Sequence, residues 1–119
     1  MLTYLTLRSM MRDDPVCSKA ELWTYNGSDP AKPLLLGCKG LVFDVSAGRD
    51  FYGPPDGPYK NFAGRDASRA LALMSLKLED AENSSLEGLT EEELKVLDDW
   101  CKKFKGKYPV LGILDMYEL

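Results

Sequence analysis

The segment DFYGPPDGPYKNFAG, residues 50–64, lies near the middle of a 119-residue chain and reads as neither helix nor strand until about Arg65. Gly53, Pro54, Pro55, Gly57, Pro58 and Gly64 punctuate it, and each proline restricts both its own φ and the residue before it. The fold therefore has to be assembled from the elements on either side. Yet the segment also carries Tyr52 and Tyr59, more aromatic surface than a connector needs. By composition alone the simplest reading is structural, with Tyr52 packed in the core and Tyr59 supporting a turn. The other reading turns a phenol oxygen toward a pocket, as hydrogen-bond donor or metal ligand.

Upstream, RDDPV (residues 12–16) reads as a linker. SKAE then forms a capping box, with Ser18 as N-cap and Glu21 three residues on, opening a short helix through Tyr25. Residues 26–33 read as a loop. LLLGCKGLVFDV (residues 34–45) reads as a hairpin turning at Lys39-Gly40, where Gly40 supplies the positive φ of a tight turn. Both arms are apolar throughout, which suggests that both faces are covered. Ser46 starts one helical turn at the head of the irregular segment.

Downstream, Asp66 is placed to cap a helix running to about Leu76, with Ala67, Ala70, Leu71 and Met74 on its narrow face. EDAENSSLEG is polar and loop-like. Thr90 and Glu93 then form a second capping box for a helix ending near Gly106, with Leu94, Leu97, Cys101 and Phe104 as its buried stripe. Glu91/Lys95, Asp98/Lys102 and Asp99/Lys103 are its exposed i,i+4 pairs, each worth only about 0.3 kcal/mol. VLGIL reads as a final strand.

A chain of this length is one domain. Its net charge of −4 argues against nucleic acid as a partner, since such binding needs a basic face to displace counterions. Cys17, Cys38 and Cys101 are odd in number and form no C-x-x-C pair, so a reducing compartment suits them better than a disulfide framework, with Cys38 and Cys101 as core residues. No apolar stretch is long enough to span a bilayer. Residues 1–17 read first as a loosely attached extension and second as an organelle-targeting segment.

The chain contains no histidine, which removes every His-dependent triad and bis-histidine metal ligation. Zinc spacing, an EF-hand loop, a dinucleotide-binding G-x-G-x-x-G and a phosphate-binding P-loop are all missing. Side-chain catalysis is therefore the weaker class of function.

Four blocks in fixed order, KGLVFDVSAG, FYGPPDGPYKNFAGRDASRAL, GLTEEELKVLDDW and KYPVLG, resemble the membrane-associated progesterone receptor family. This is the haem/steroid-binding branch of the cytochrome b5-like fold, and the resemblance runs from about Ser18 to Gly112. It implies an α+β domain over residues 18–114, a small mixed sheet with helix pairs forming a ligand cleft, flanked by an extension (1–17) and a tail (115–119). It also implies haem b as cofactor, held without the H-P-G-G motif of the bis-histidine cytochromes. The family's axial tyrosinate corresponds to Tyr59 in GPYKNFAG. Tyr52 corresponds to its second loop tyrosine, a hydrogen-bonding neighbour of the ligand. Lys107 and Tyr108 correspond to the pair at the haem edge, where the lysine meets a propionate. Six residues, Gly53 to Pro58, separate the tyrosines where five are usual. Asp66 and Arg69 belong to the DASR signature, and a cap with a local ion pair explains them equally well.

A phenol has a pKa near 10, but ferric iron binds the deprotonated form at neutral pH. The anionic oxygen favours Fe(III), so an electron carrier of the b5 type is the least favoured reading. The resemblance implies a non-enzymatic haem protein serving cytochrome P450 enzymes, sterol metabolism or haem handling, with a haem-stacked homodimer. It places the chain inside the cell, in the cytoplasm or peripherally at the endoplasmic reticulum. The alternative is a sterol-binding or protein-interaction adaptor that does not depend on haem.

Overall fold

The computed structural model describes residues 15–115, and expectations for the outermost residues of both ends fall outside them. Its elements are strand β1 (Val16–Cys17), helix α1 (Lys19–Trp23), strands β2 (Leu35–Cys38) and β3 (Leu41–Asp44), a 3₁₀ turn (Ser46–Gly48) and helix α2 (Arg49–Tyr52). A second 3₁₀ turn (Lys60–Phe62) leads to α3 (Ser68–Ala72), α4 (Leu78–Glu82), α5 (Glu91–Lys107) and strand β4 (Val110–Leu114).

Both capping boxes form. Ser18 Oγ accepts from the Glu21 amide at 3.0 Å while Glu21 Oε1 accepts from the Ser18 amide at 3.1 Å. Thr90 and Glu93 repeat the exchange at 3.1 and 2.9 Å and start the 17-residue α5. The hairpin also forms as read: β2 and β3 pair antiparallel from Leu35↔Asp44 to Cys38↔Leu41. Lys39 (φ 52°) and Gly40 (φ 79°) make the two-residue turn, whose twist matches the strands only with both φ values positive.

The sheet has the order β1-β4-β3-β2, with β4 antiparallel to β3 and parallel to β1. Residues 16 and 17, read from the sequence as linker and extension, thus hydrogen-bond into the sheet. Two residues show no periodicity to read. The covered faces explain the hairpin's unbroken apolar pattern. Leu34, Leu36, Cys38, Phe43 and Val45 join the main core with Phe62, Ala70, Leu71, Leu97 and Phe104. Leu35 and Val42 point the other way, into a smaller cluster with Leu22 and Leu114.

Several expectations change. The helix expected to reach Leu76 ends at Ala72, because Met74 turns left-handed (φ 53°) and Ser75 N–H donates back to Ala70 O at 2.9 Å. Met74, read as part of that helix's narrow face, lies beyond its end and is exposed. Asp66 caps one residue early, its Oδ1 accepting from Ser68 N (3.1 Å) and Ser68 Oγ (2.6 Å), while Arg69 reaches the Ser85 and Glu87 carbonyls instead of Asp66. The stretch expected to be a polar loop contains α4, anchored by Ala81, which is buried. On α5, Leu97, Cys101 and Phe104 are buried as expected, but Leu94 is exposed, the helix runs through Gly106 to Lys107, and Asp98 pairs with Lys39 of the hairpin turn. Burial pushes the Cys38 thiol well above its ordinary range, with neighbouring Cys101 adding to the effect.

Candidate functional site

The irregular segment is less irregular than it reads. Val45 N–H-to-Leu34 carbonyl bonding ends the hairpin, and residues 46–52 wind through a 3₁₀ turn into α2, which places Tyr52 at its last position. The chain then loops out and returns. Tyr59 N–H donates to Phe51 O at 2.8 Å, and Gly57 N–H donates to Gly53 O at 2.9 Å. These bonds close the loop at its neck, so the sixth intervening residue lengthens the tip without separating the tyrosines. Their ring centroids lie 5.6 Å apart.

α5 supplies the opposite wall. Phe104 is 1% exposed and lies 6.2 Å from Tyr52 and 6.0 Å from Tyr108, centroid to centroid. Tyr108, the C-cap of α5, meets Tyr52 edge-on at 6.2 Å. Trp100 stands edge-on to Tyr59 at 6.5 Å. Lys107 Nζ sits 5.5 Å from the Phe51 ring and 5.6 Å from that of Tyr108, and Lys103 Nζ lies 5.0 Å from the Trp100 ring. Tyr52, Tyr59, Lys107 and Tyr108, the four residues expected at the site, thus line one cavity of ≈ 150 Å³ together with Trp100, Lys103 and Phe104. Beyond the Tyr59–Trp100 pair lies a second cavity of ≈ 180 Å³, walled by Phe62, Ala70, Leu71 and Met74. The small-residue face of α3 opens onto this space.

The hydroxyls of Tyr52, Tyr59 and Tyr108 have no hydrogen-bond partner among the described residues. Tyr52 is 6% and Tyr108 5% exposed, and buried hydroxyls normally find partners. Gly48 is part of this arrangement: a Cβ there would collide with Tyr108 Oη and come within 3.2 Å of the Tyr52 ring. Burial, followed by the nearby phenols of Tyr108 and Tyr59 and the Cys38 thiol, drives the Tyr52 pKa well above the usual phenol value. Tyr52 therefore stays a neutral donor at physiological pH. Tyr59 is only half-buried and borders both cavities.

A wider groove of ≈ 410 Å³ between α1 and α4 differs in kind, because its polar groups are already engaged. There Arg65 lies 4.5 Å from the Trp23 ring and 3.9 Å from Glu82, and Lys19 donates to Ser84 Oγ at 3.0 Å. The sequence reading missed Trp100, Lys103 and Phe104 as site residues, since an amphipathic helix accounts for them. Their signal was the spacing Trp100, Phe104, Tyr108, which continues one helix face into the KYPV block.

Comparison with known proteins agrees with this architecture. Residues 18–112 match the family described as the cytochrome b5-like haem/steroid binding domain. The probable steroid-binding protein 3 of Arabidopsis thaliana is 54% identical over 92 residues, covering 77% of this chain and 90% of that protein. The cytochrome P450 regulator dap1 of Schizosaccharomyces pombe is 44% identical over 101 residues, covering 80% of this chain but only 60% of that protein. The solution structure of a putative steroid-binding protein from Arabidopsis superposes with a TM-score of 0.75 at 50% identity, covering 83% of this chain and 95% of that one.

The fold and cleft are thus those of the cytochrome b5-like class, α+β with a small mixed four-stranded sheet. Within that class, the chain belongs to the membrane-associated progesterone receptor family of haem/steroid-binding domains. Among the described residues, no helix is long and apolar enough to cross a membrane.

Proposed function

We propose that this domain is a non-enzymatic haem-binding module in which Tyr59 ligates the iron. The observation that carries the reading is that three tyrosines whose hydroxyls have no hydrogen-bond partner among the described residues line one cavity, in a chain without histidine. The donor set suits the group. Tyr59 offers a hard anionic oxygen for ferric iron, and neutral Tyr52 donates a hydrogen bond beside it. Lys107 and Lys103 stand at the rim, where haem carboxylates would meet cations, and Tyr108 adds a hydroxyl at the same edge. Haem b, when bound, supplies a ferric centre held in the oxidised state by its anionic ligand.

Each cavity is smaller than the roughly 300–1,000 Å³ usual for ligand pockets, and together they reach only its lower end. Binding therefore requires the Tyr59–Trp100 wall to part and join them. If a single tyrosine of this chain held the haem, the rest of the group would be open to a second copy, the haem-stacked homodimer that the family resemblance implies. The name of the fission yeast relative supports a role beside cytochrome P450 enzymes, and that role would place the domain at the cytoplasmic face of the endoplasmic reticulum.

A second reading has its own observation. The ≈ 180 Å³ cavity is lined mostly by apolar side chains, a chemistry that suits a sterol without any metal once the same wall parts to enlarge it, and the Arabidopsis relative's name points the same way. Titration of the purified protein with hemin, followed at the Soret and tyrosinate-to-iron charge-transfer bands, separates the two. The haem reading expects saturable binding, with the charge-transfer band lost in Tyr59→Phe and affinity weakened by roughly tenfold or more. Unchanged spectra and affinity in that variant contradict Tyr59 as ligand. No hemin binding, with a sterol bound instead, favours the adaptor.

A further inference from the structure

The turn that stops α3 puts a methionine where glycine is the usual residue. Met74 N–H donates to Leu71 O at 3.1 Å and Ser75 N–H to Ala70 O at 2.9 Å, the paired bonds of a Schellman motif with Met74 at its left-handed position. Its φ of 53° is strained for any residue with a Cβ. Packing offers no compensation, because Met74 is 74% exposed, and Leu76 beside it is 53% exposed. Of the exposed large apolar side chains Met74 is the most exposed among the described residues, and it alone of them combines exposure with a left-handed backbone.

The position of the side chain explains the choice. Met74 borders the ≈ 180 Å³ cavity across from Tyr59 and Trp100, and it also borders the open shelf outside that cavity with Leu76 and Lys77. A long, unbranched thioether at this lip can fold over whatever occupies the space and adapt to an irregular apolar outline. A glycine would suit the backbone better and leave the lip bare.

We infer that Met74 is a ligand-contact residue, closing over the outer edge of a flat, apolar polycyclic ligand held in the Tyr59 cleft. The inference rests on the cleft being the ligand site and adds the residue that grips the ligand's exposed side. Haem and steroids share the flat apolar outline, so hemin and progesterone serve as separate probes.

The test exploits the opposition between backbone and side chain. Met74→Gly relieves the left-handed strain and removes little buried surface, so the melting temperature of the ligand-free protein is expected to rise by about 4 °C. The same change is expected to weaken binding of the probe by roughly tenfold while leaving the hemin charge-transfer band in place, since Tyr59 is untouched. Met74→Leu, of similar volume, is expected to keep the affinity within about threefold. A Met74→Gly variant that binds as tightly as the unaltered protein overturns the inference alone. Affinity and melting temperature falling together also overturn it, because the side chain would then act through the fold. An unaltered protein that binds neither probe overturns the cleft reading and the inference with it.

Discussion

Tyr52 and Tyr59 face each other with ring centroids 5.6 Å apart, although six residues of turn-forming sequence lie between them. The two phenols are not equivalent. Tyr52 is buried, held protonated, and without a hydrogen-bond partner among the described residues. Removing its hydroxyl leaves no other group unsatisfied, so Tyr52→Phe is expected to change the unfolding free energy by less than about 1 kcal/mol. If Tyr59 holds the iron as proposed, hemin affinity should nevertheless fall several-fold, because the neighbouring phenol donor would be gone. Urea denaturation and hemin titration of the same preparation check both halves.

Gly48 keeps space for Tyr108. Its φ of −103° is open to any residue, so Gly48→Ala acts through sterics alone, driving a Cβ into Tyr108 Oη and against the Tyr52 ring. Overpacking of this kind costs about 1–3 kcal/mol. The expected outcome is a lower urea midpoint together with weaker hemin binding.

Phe104 joins the core to the cleft, with its ring 5.5 Å from Phe43, 6.2 Å from Tyr52 and 5.8 Å from Trp100. Phe104→Ala is expected to cost about 3–5 kcal/mol in urea unfolding, a large part of the stability of a small domain.

The Lys39–Asp98 ion pair ties the hairpin turn to α5 and sets a mild pH dependence. Lys39 holds the Asp98 carboxyl below its ordinary pKa, so the pair's contribution is present above that value and lost as pH falls through the lowered one. The Lys39 pKa is raised, so on the alkaline side the contribution is present below its ordinary value and lost as pH rises through the raised one. Both groups are on the surface, and the effect is small and screened by salt. Asp98→Asn is expected to lower stability slightly near neutral pH in dilute buffer and to be indistinguishable from the parent at about 1 M NaCl. Thermal melts across pH and salt measure it.

Elements defined by local chemistry were legible in the sequence. Ser18–Glu21 and Thr90–Glu93 specify their helices through reciprocal bonds within four residues, and Lys39-Gly40 specifies its turn through φ alone. Elements defined by distant partners were not. Val16–Cys17 is a strand only because β4 lies beside it, and α4 is held by the burial of Ala81. The end of α3 depends on Met74 accepting a conformation that propensity disfavours. At the site, family resemblance marked Tyr52, Tyr59, Lys107 and Tyr108, whereas Trp100 and Phe104 were hidden because a core-facing helix needs aromatics anyway.

Resonance Raman spectroscopy of the hemin complex, excited within the charge-transfer band, tests the ligand directly, because only a phenolate bonded to iron gives enhanced tyrosinate ring modes there. The modes are expected in the unaltered protein and in Tyr52→Phe, and absent in Tyr59→Phe. Tyrosinate modes that persist in Tyr59→Phe, or that vanish only in Tyr52→Phe, would contradict the assignment of Tyr59.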